Sequence, residues 1–163
     1  MRKAVAIAIG ALGLVLAGAG PAAAQTSGEQ NWVVITTPGA PTKVVASGVL
    51  NAVGTVRDFL TLNPNGTFDN LAVQTFPNGT LNYHGMGTFK ISFDPRTCLG
   101  RGDVIGPFVI TGGTGAYAGA TGSGTAFITL TFVFNRNDDG SCVQGPPAQT
   151  FGVARAPGHL TLP

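Results

Sequence analysis

The chain has 163 residues, 44% of them hydrophobic and only 10% charged, with nine Lys+Arg against seven Asp+Glu for a formal net charge of +2. So few charges, with no run of one sign, leave no basic patch of the kind that nucleic acid or an anionic membrane surface needs, which argues against both as partners. Two cysteines 44 positions apart and two scattered histidines match no zinc-ligand spacing, so neither a metal nor another cofactor is expected.

The first predicted element is a leader. Arg2 and Lys3 precede an apolar run from Ala4 to Gly20, followed by Pro21 and the three alanines Ala22 to Ala24. A basic start, an apolar stretch and a small-residue exit form the layout of a secretory signal peptide, with cleavage expected after Ala24. A membrane anchor is the alternative, but the run is short for a span and is broken by Gly10, Gly13 and Gly18. Residues 1–24 are therefore read as a removed leader and residues 25–163 as one secreted domain, a suitable size for a single core. That domain holds seven Lys+Arg and seven Asp+Glu, so its formal charge is zero, and none of its segments is long and apolar enough to cross a membrane as a helix.

After residue 25, helix signals are almost absent. Short runs of Val, Ile, Thr and Phe alternate with Gly, Pro and Asn, which is the pattern of an all-β sandwich or barrel. The runs predict strands at Trp32–Thr36, Lys43–Val53, Thr55–Leu62, Thr67–Thr75, Thr80–Phe93, Val104–Thr111, Thr125–Asn135 and Gln149–Leu160. Eight strands suit an antiparallel sheet closed on itself, and closure removes exposed edges. Two turns nearly repeat, "NPNGTF" at Asn63–Phe68 and "FPNGTL" at Phe76–Leu81. Asn-Gly is a strong hairpin signal because both residues tolerate positive φ. Asn65 and Asn78 also satisfy N-x-T, but the turn requires Asn-Gly in any case, and both are read as turns and not as sugar acceptors.

The stretch "ITGGTGAYAGATGSGTAFIT", Ile110 to Thr129, contains Gly113, Gly115 and Ala118 in the G-x-G-x-x-G/A spacing of dinucleotide sites. Such a site needs a helix after the glycines, whose N-terminal amides and dipole hold the phosphate. Here "TAFITLTFVFN" follows, β-branched and aromatic, so the glycines are read as a tight connection between strands, with Tyr117 anchoring it by packing. The segment resembles the glycine-rich signature of the allene oxide cyclase and dirigent protein superfamily. The order "VVASGVL", "FPNGTL", "FDPRTC", "GGTGAYAGATGSGT", a second Cys and a Pro-led last strand is similar to that of a group of small secreted bacterial proteins with the same signature. The resemblance implies an eight-stranded antiparallel calycin-like barrel with a mostly apolar cavity, and a trimer. It implies no single activity, because the superfamily includes a cyclase, coupling-directing proteins and many members with none assigned.

No nucleophile elbow, zincin motif or Ser-His-Asp set is present. Candidate site residues are polar groups on faces that otherwise read apolar. Asp58 shares a face with Val56, Leu60 and Leu62 by period two, so its carboxyl is expected inside the barrel; the alternative is a surface pair with Arg57. Tyr83 falls on the face of Leu81, Phe89 and Ile91 and offers a phenol to the interior, either as a site group or as ordinary core. His84 falls on the opposite, outward face. The runs Val104–Ile110 and Phe127–Phe134 are apolar on both faces, which predicts self-association over the outer surface.

Chain direction in an up-and-down barrel brings Cys98 and Cys142 to the same rim, two strands apart, and predicts a disulfide between them if the loops lean together. Three readings of function follow. The first is a secreted barrel that binds a small hydrophobic ligand. The second is a cyclase, isomerase or coupling-directing protein acting on a hydrophobic substrate in the cavity. The third is an interaction protein that uses its outer sheet.

Overall fold

A computed structural model describes residues 25–163; the predicted leader, residues 1–24, lies outside the described residues. Eight strands follow one another in chain order: β1 (Thr26–Thr36), β2 (Lys43–Gly48), β3 (Ala52–Leu62), β4 (Thr67–Phe76), β5 (Gly79–Asp94), β6 (Leu99–Gly113), β7 (Thr121–Val133) and β8 (Gln149–Leu162). Each pairs antiparallel with the next, and β1 pairs with β8, so the sheet closes into a barrel. A single 3-10 turn, Gly115–Tyr117, interrupts the β6–β7 connection. No helix among the described residues is long and apolar enough to cross a membrane.

β1 starts earlier than the sequence expectation, at Thr26 and not at Trp32, where it pairs with β8, and three further strand boundaries differ for a packing reason. The stretch expected as one strand from Lys43 to Val53 breaks at Val49–Asn51. Gln30, fully buried on β1, reaches across: its Nε2 donates to the Leu50 carbonyl at 3.0 Å and its Oε1 accepts from the Leu50 amide at 2.7 Å. The turn between β2 and β3 is thus held by a side chain twenty residues away. β6 starts at Leu99 and not at Val104, because "LGRGD" pairs with the far end of β5 from Asp94 to Lys90. β7 starts at Thr121, four residues early, and its Gly124 faces Phe108, whose ring would lie 2.7 Å from an added Cβ. These glycines leave room for aromatic rings inside the barrel wall and do not end the strands.

The glycine segment closes one end of the barrel. The β4–β5 turn at Asn78–Gly79 lies directly on Thr114–Gly115. An added Cβ at Gly79 would sit 2.0 Å from the Thr114 carbonyl, and one at Gly115, where φ is +60°, would sit 2.3 Å from the Asn78 carbonyl. Backbone bonds from Ala116 N to Asn78 O (2.9 Å) and Thr114 N to Thr80 O (2.9 Å) fasten the two. Tyr117 then drops into the barrel end and packs edge-on against Phe76 at 6.0 Å between ring centres. The connection is therefore a plug made by packing, as its β-rich sequel implies.

Behind the plug lies the core: Trp32, Val44, Leu50, Leu81, Phe108, Ile110 and Leu160, all buried. Trp32 meets Tyr83 and Phe108 edge-on at 5.7 and 5.5 Å. At the opposite end, Cys98 and Cys142 form the expected disulfide with their Cα atoms 5.5 Å apart. It ties the β5–β6 turn to the long β7–β8 loop.

Candidate functional site

Odd-numbered strands run away from the plug, so their C-terminal ends form the other mouth of the barrel. Between core and mouth lies a cavity of about 400 Å³ that opens at that end. Period-two alternation decides what faces it. From β6, β7 and β8 come Val104, Phe108, Ile128, Leu130, Phe132 and Ala154, an apolar wall. From β3, β4 and β5 come Asp58, Asn70, Gln74 and Tyr83, the polar part of the lining, joined nearer the mouth by the hydroxyls of Thr36 and Thr150. Leu60, Leu62 and Ile91 form an apolar collar at the opening, each just over half exposed.

The polar group is set by register. Asp58 lies opposite Ala72, and Ala72 lies opposite Tyr83, so the three residues stand at one level across β3, β4 and β5. Ala72, with its single methyl, leaves the space between the carboxyl and the phenol open. The two amides, Asn70 and Gln74, flank Ala72 on the same face of β4.

Asp58 is accessible, but from the cavity and not from the outer surface. Desolvation there raises its pKa above the ordinary aspartate value, and a hydrogen bond from the Asn70 side chain only partly offsets this. Arg57 does not pair with it. The arginine points outward and stacks over the Phe59 ring at 4.9 Å, because adjacent residues of a strand face opposite ways. The two close contacts of an acidic with a basic side chain among the described residues, His84–Asp69 and Arg101–Asp103, both lie on the outside. Tyr83 is buried, and desolvation pushes its phenol above the usual range, so it stays protonated.

Among the described residues, four buried side-chain polar atoms find no hydrogen-bond partner: Trp32 Nε1, Asn70 Oδ1, Gln74 Oε1 and the Tyr83 hydroxyl. All four belong to residues of the cavity wall. A buried polar group left unpaired costs about 1–3 kcal/mol, and a stable core does not collect four of them in one place at random. Gln30, by contrast, is just as buried and fully bonded.

The structure thus brings Asp58 and Tyr83 to one wall and leaves His84 outside. His84 Nε2 is 3.1 Å from Asp69 Oδ1 on the outer face and takes no part in the cavity. Trp32, Asn70 and Gln74 are the residues that sequence reasoning passed over. The signal was present in β4: Phe68, Asn70, Ala72, Gln74 and Phe76 alternate on one face, placing two amides between two aromatics on the side turned to the core. Among the described residues no cluster of His, Cys, Asp and Glu could hold a metal ion.

No family model matches the chain, and no curated protein and no solved structure gives a significant match.

Proposed function

We propose that the chain is a secreted, calycin-like barrel of the allene oxide cyclase and dirigent-like kind that binds a small, mostly apolar molecule in its cavity. The observation that carries this reading is the cavity itself: about 400 Å³, apolar on one side, closed by a plug at one end and open at the other. That size and character match small-molecule sites, which combine an apolar lining with a few polar groups. The disulfide suits an oxidising compartment and so supports export.

A neutral fluorescent probe, N-phenyl-1-naphthylamine, tests it. Residues 25–163 should raise the probe's emission, and Ala154→Trp, which fills the cavity from β8, should weaken uptake by about tenfold or more while the protein keeps its β-sheet circular dichroism. Equal uptake by both proteins would overturn the reading.

The second reading, a cyclase or isomerase acting on a hydrophobic substrate, is favoured by one observation, the facing of Asp58 and Tyr83 across Ala72. A carboxyl with a raised pKa at the same level of the wall as a protonated phenol, two strands away, is a pair suited to general acid–base work on a substrate lying between them. Turnover of a bound substrate that is lost in Asp58→Asn would establish it.

The outer surface supports self-association as a further part of the proposal. Ile105 and Phe127 are register partners, and Val109 stands four residues along from Ile105; all three project outward and are about half exposed. A second copy would cover them, and the resemblance makes a trimer the expected assembly.

A further inference from the structure

We infer that the ligand the cavity selects is a hydrophobic amine, its ammonium group held at Asp58 and its apolar body against the β6–β8 wall. The inference rests on the ligand-binding reading above and narrows its chemistry.

The charge of the lining decides first. Among the described residues no Lys, Arg or His lines the cavity, and its one ionisable group besides the Tyr83 phenol is the Asp58 carboxyl. An anionic ligand, such as a fatty acid, would bring a second negative group beside Asp58 with no cation to balance either. Two like charges in a site of low polarity repel strongly. A cation does the reverse: it supplies the counter-charge that the protein itself withholds, since Arg57 is turned outward.

The hydrogen-bonding set decides next. An ammonium carries three donors and no acceptor. On the wall beside Asp58, Asn70 Oδ1, Gln74 Oε1 and the Tyr83 hydroxyl lack partners, as does the Trp32 Nε1 donor; all four are buried, so a ligand head at Asp58 meets them only when their side chains turn toward the cavity. The Asn70 side chain favours the ionised form of Asp58, and its buried Oδ1 has no partner in the protein. The same lining carries the rings of Phe68, Tyr83 and Phe89, whose faces attract a cation. An alcohol would leave the carboxyl without its counter-charge.

The shape decides last. The polar groups lie toward the core and the collar of Leu60, Leu62 and Ile91 lies at the mouth. The head of the ligand therefore points inward and its hydrocarbon faces the opening.

The test is displacement of N-phenyl-1-naphthylamine from residues 25–163 by decylamine, decan-1-ol and decanoic acid at pH 7.5, below their aggregation thresholds. Decylamine should displace the probe at about one-tenth the concentration of the alcohol, and decanoic acid should be the weakest. Asp58→Asn should bring amine and alcohol to parity, each displacement being referred to that variant's own probe affinity. In the wild type, the amine's advantage should be lost as the pH falls through the Asp58 titration, because only the carboxylate pairs with the cation. Among the described residues no other charged group faces Asp58: β4 presents Asn70, Ala72 and Gln74, β5 presents the phenol of Tyr83, and β6–β8 present apolar side chains with the hydroxyl of Thr150. Alcohol or acid equal to the amine, or an advantage that survives in Asp58→Asn, would overturn the inference and leave ligand binding intact. A protein that takes up neither probe nor amine would overturn both.

Discussion

The two ends of this barrel are built on opposite terms. At the plugged end the backbone is fastened and the apolar side chains are packed: Gln30 is fully bonded, the Asn78–Gly79 turn is tied to the glycine segment, and Trp32, Leu81 and Leu160 are buried almost completely. At the open end the strands carry half-exposed leucines and isoleucine, a raised-pKa carboxyl, and a wall in which polar atoms lack partners. The lesson is a division of labour within one sheet. Every strand but β2 runs through both regions, so the well-packed end holds the register that presents the poorly satisfied end. Functional surfaces are drawn from regions that are not optimised for stability, and here that region is the far part of seven strands.

The largest effect that would sharpen this contrast concerns the disulfide, which is the open end's own cross-link. Replacing Cys98 and Cys142 by Ser should lower stability by about 4 kcal/mol on the chain-entropy model for a 44-residue span. Urea midpoints of the two proteins measure it. Hydrogen exchange should quicken first in loop 134–148 and last around Trp32.

A single substitution made once at each end tests the contrast directly. Leu81→Ala removes a fully buried side chain from the packed end and should cost about 3 kcal/mol. Leu60→Ala removes an exposed collar residue and should cost less than about 1 kcal/mol, while weakening probe uptake. Similar losses at both sites would mean that the two ends do not differ as described.

The smallest effect is a pH dependence. Asp58 has a folded-state pKa above its unfolded value, so the folded protein binds the extra proton and is favoured at low pH. Its destabilising contribution appears as pH rises from the ordinary carboxylate range through the folded pKa, and is complete above it. Asp58→Asn should therefore raise the thermal midpoint relative to wild type at pH 7 and lose most of that advantage at pH 3. An advantage of equal size at both pH values would place the effect elsewhere than in the carboxylate.

Much of the fold was legible because two periodicities and a few turns specify it. Alternation in "TVRDFLTL" put Asp58 inward and Arg57 outward, and alternation in "LNYHGM" did the same for Tyr83 and His84. The Cys98–Cys142 pairing followed from chain direction alone. What was not legible was carried by long-range packing. "LGRGD" reads as a loop because it is rich in glycine and charge, yet it is strand, since its glycines face Phe132 and its arginine and aspartate pair outside. Asn70 and Gln74 looked like ordinary strand polar residues until the barrel closed around them.

By itself, then, the amino-acid sequence determined the number of strands, their antiparallel order, the side of the sheet each residue faces and the cysteine pairing, because these depend on period two, turn chemistry and connectivity. Only the tertiary structure decided which end is plugged and which is open. It also decided that Asp58 faces a cavity without a countercharge and that four polar atoms of its wall go unpaired. Those properties depend on how much space remains when eight strands of different side-chain volume are closed into one ring, and no local pattern records that sum.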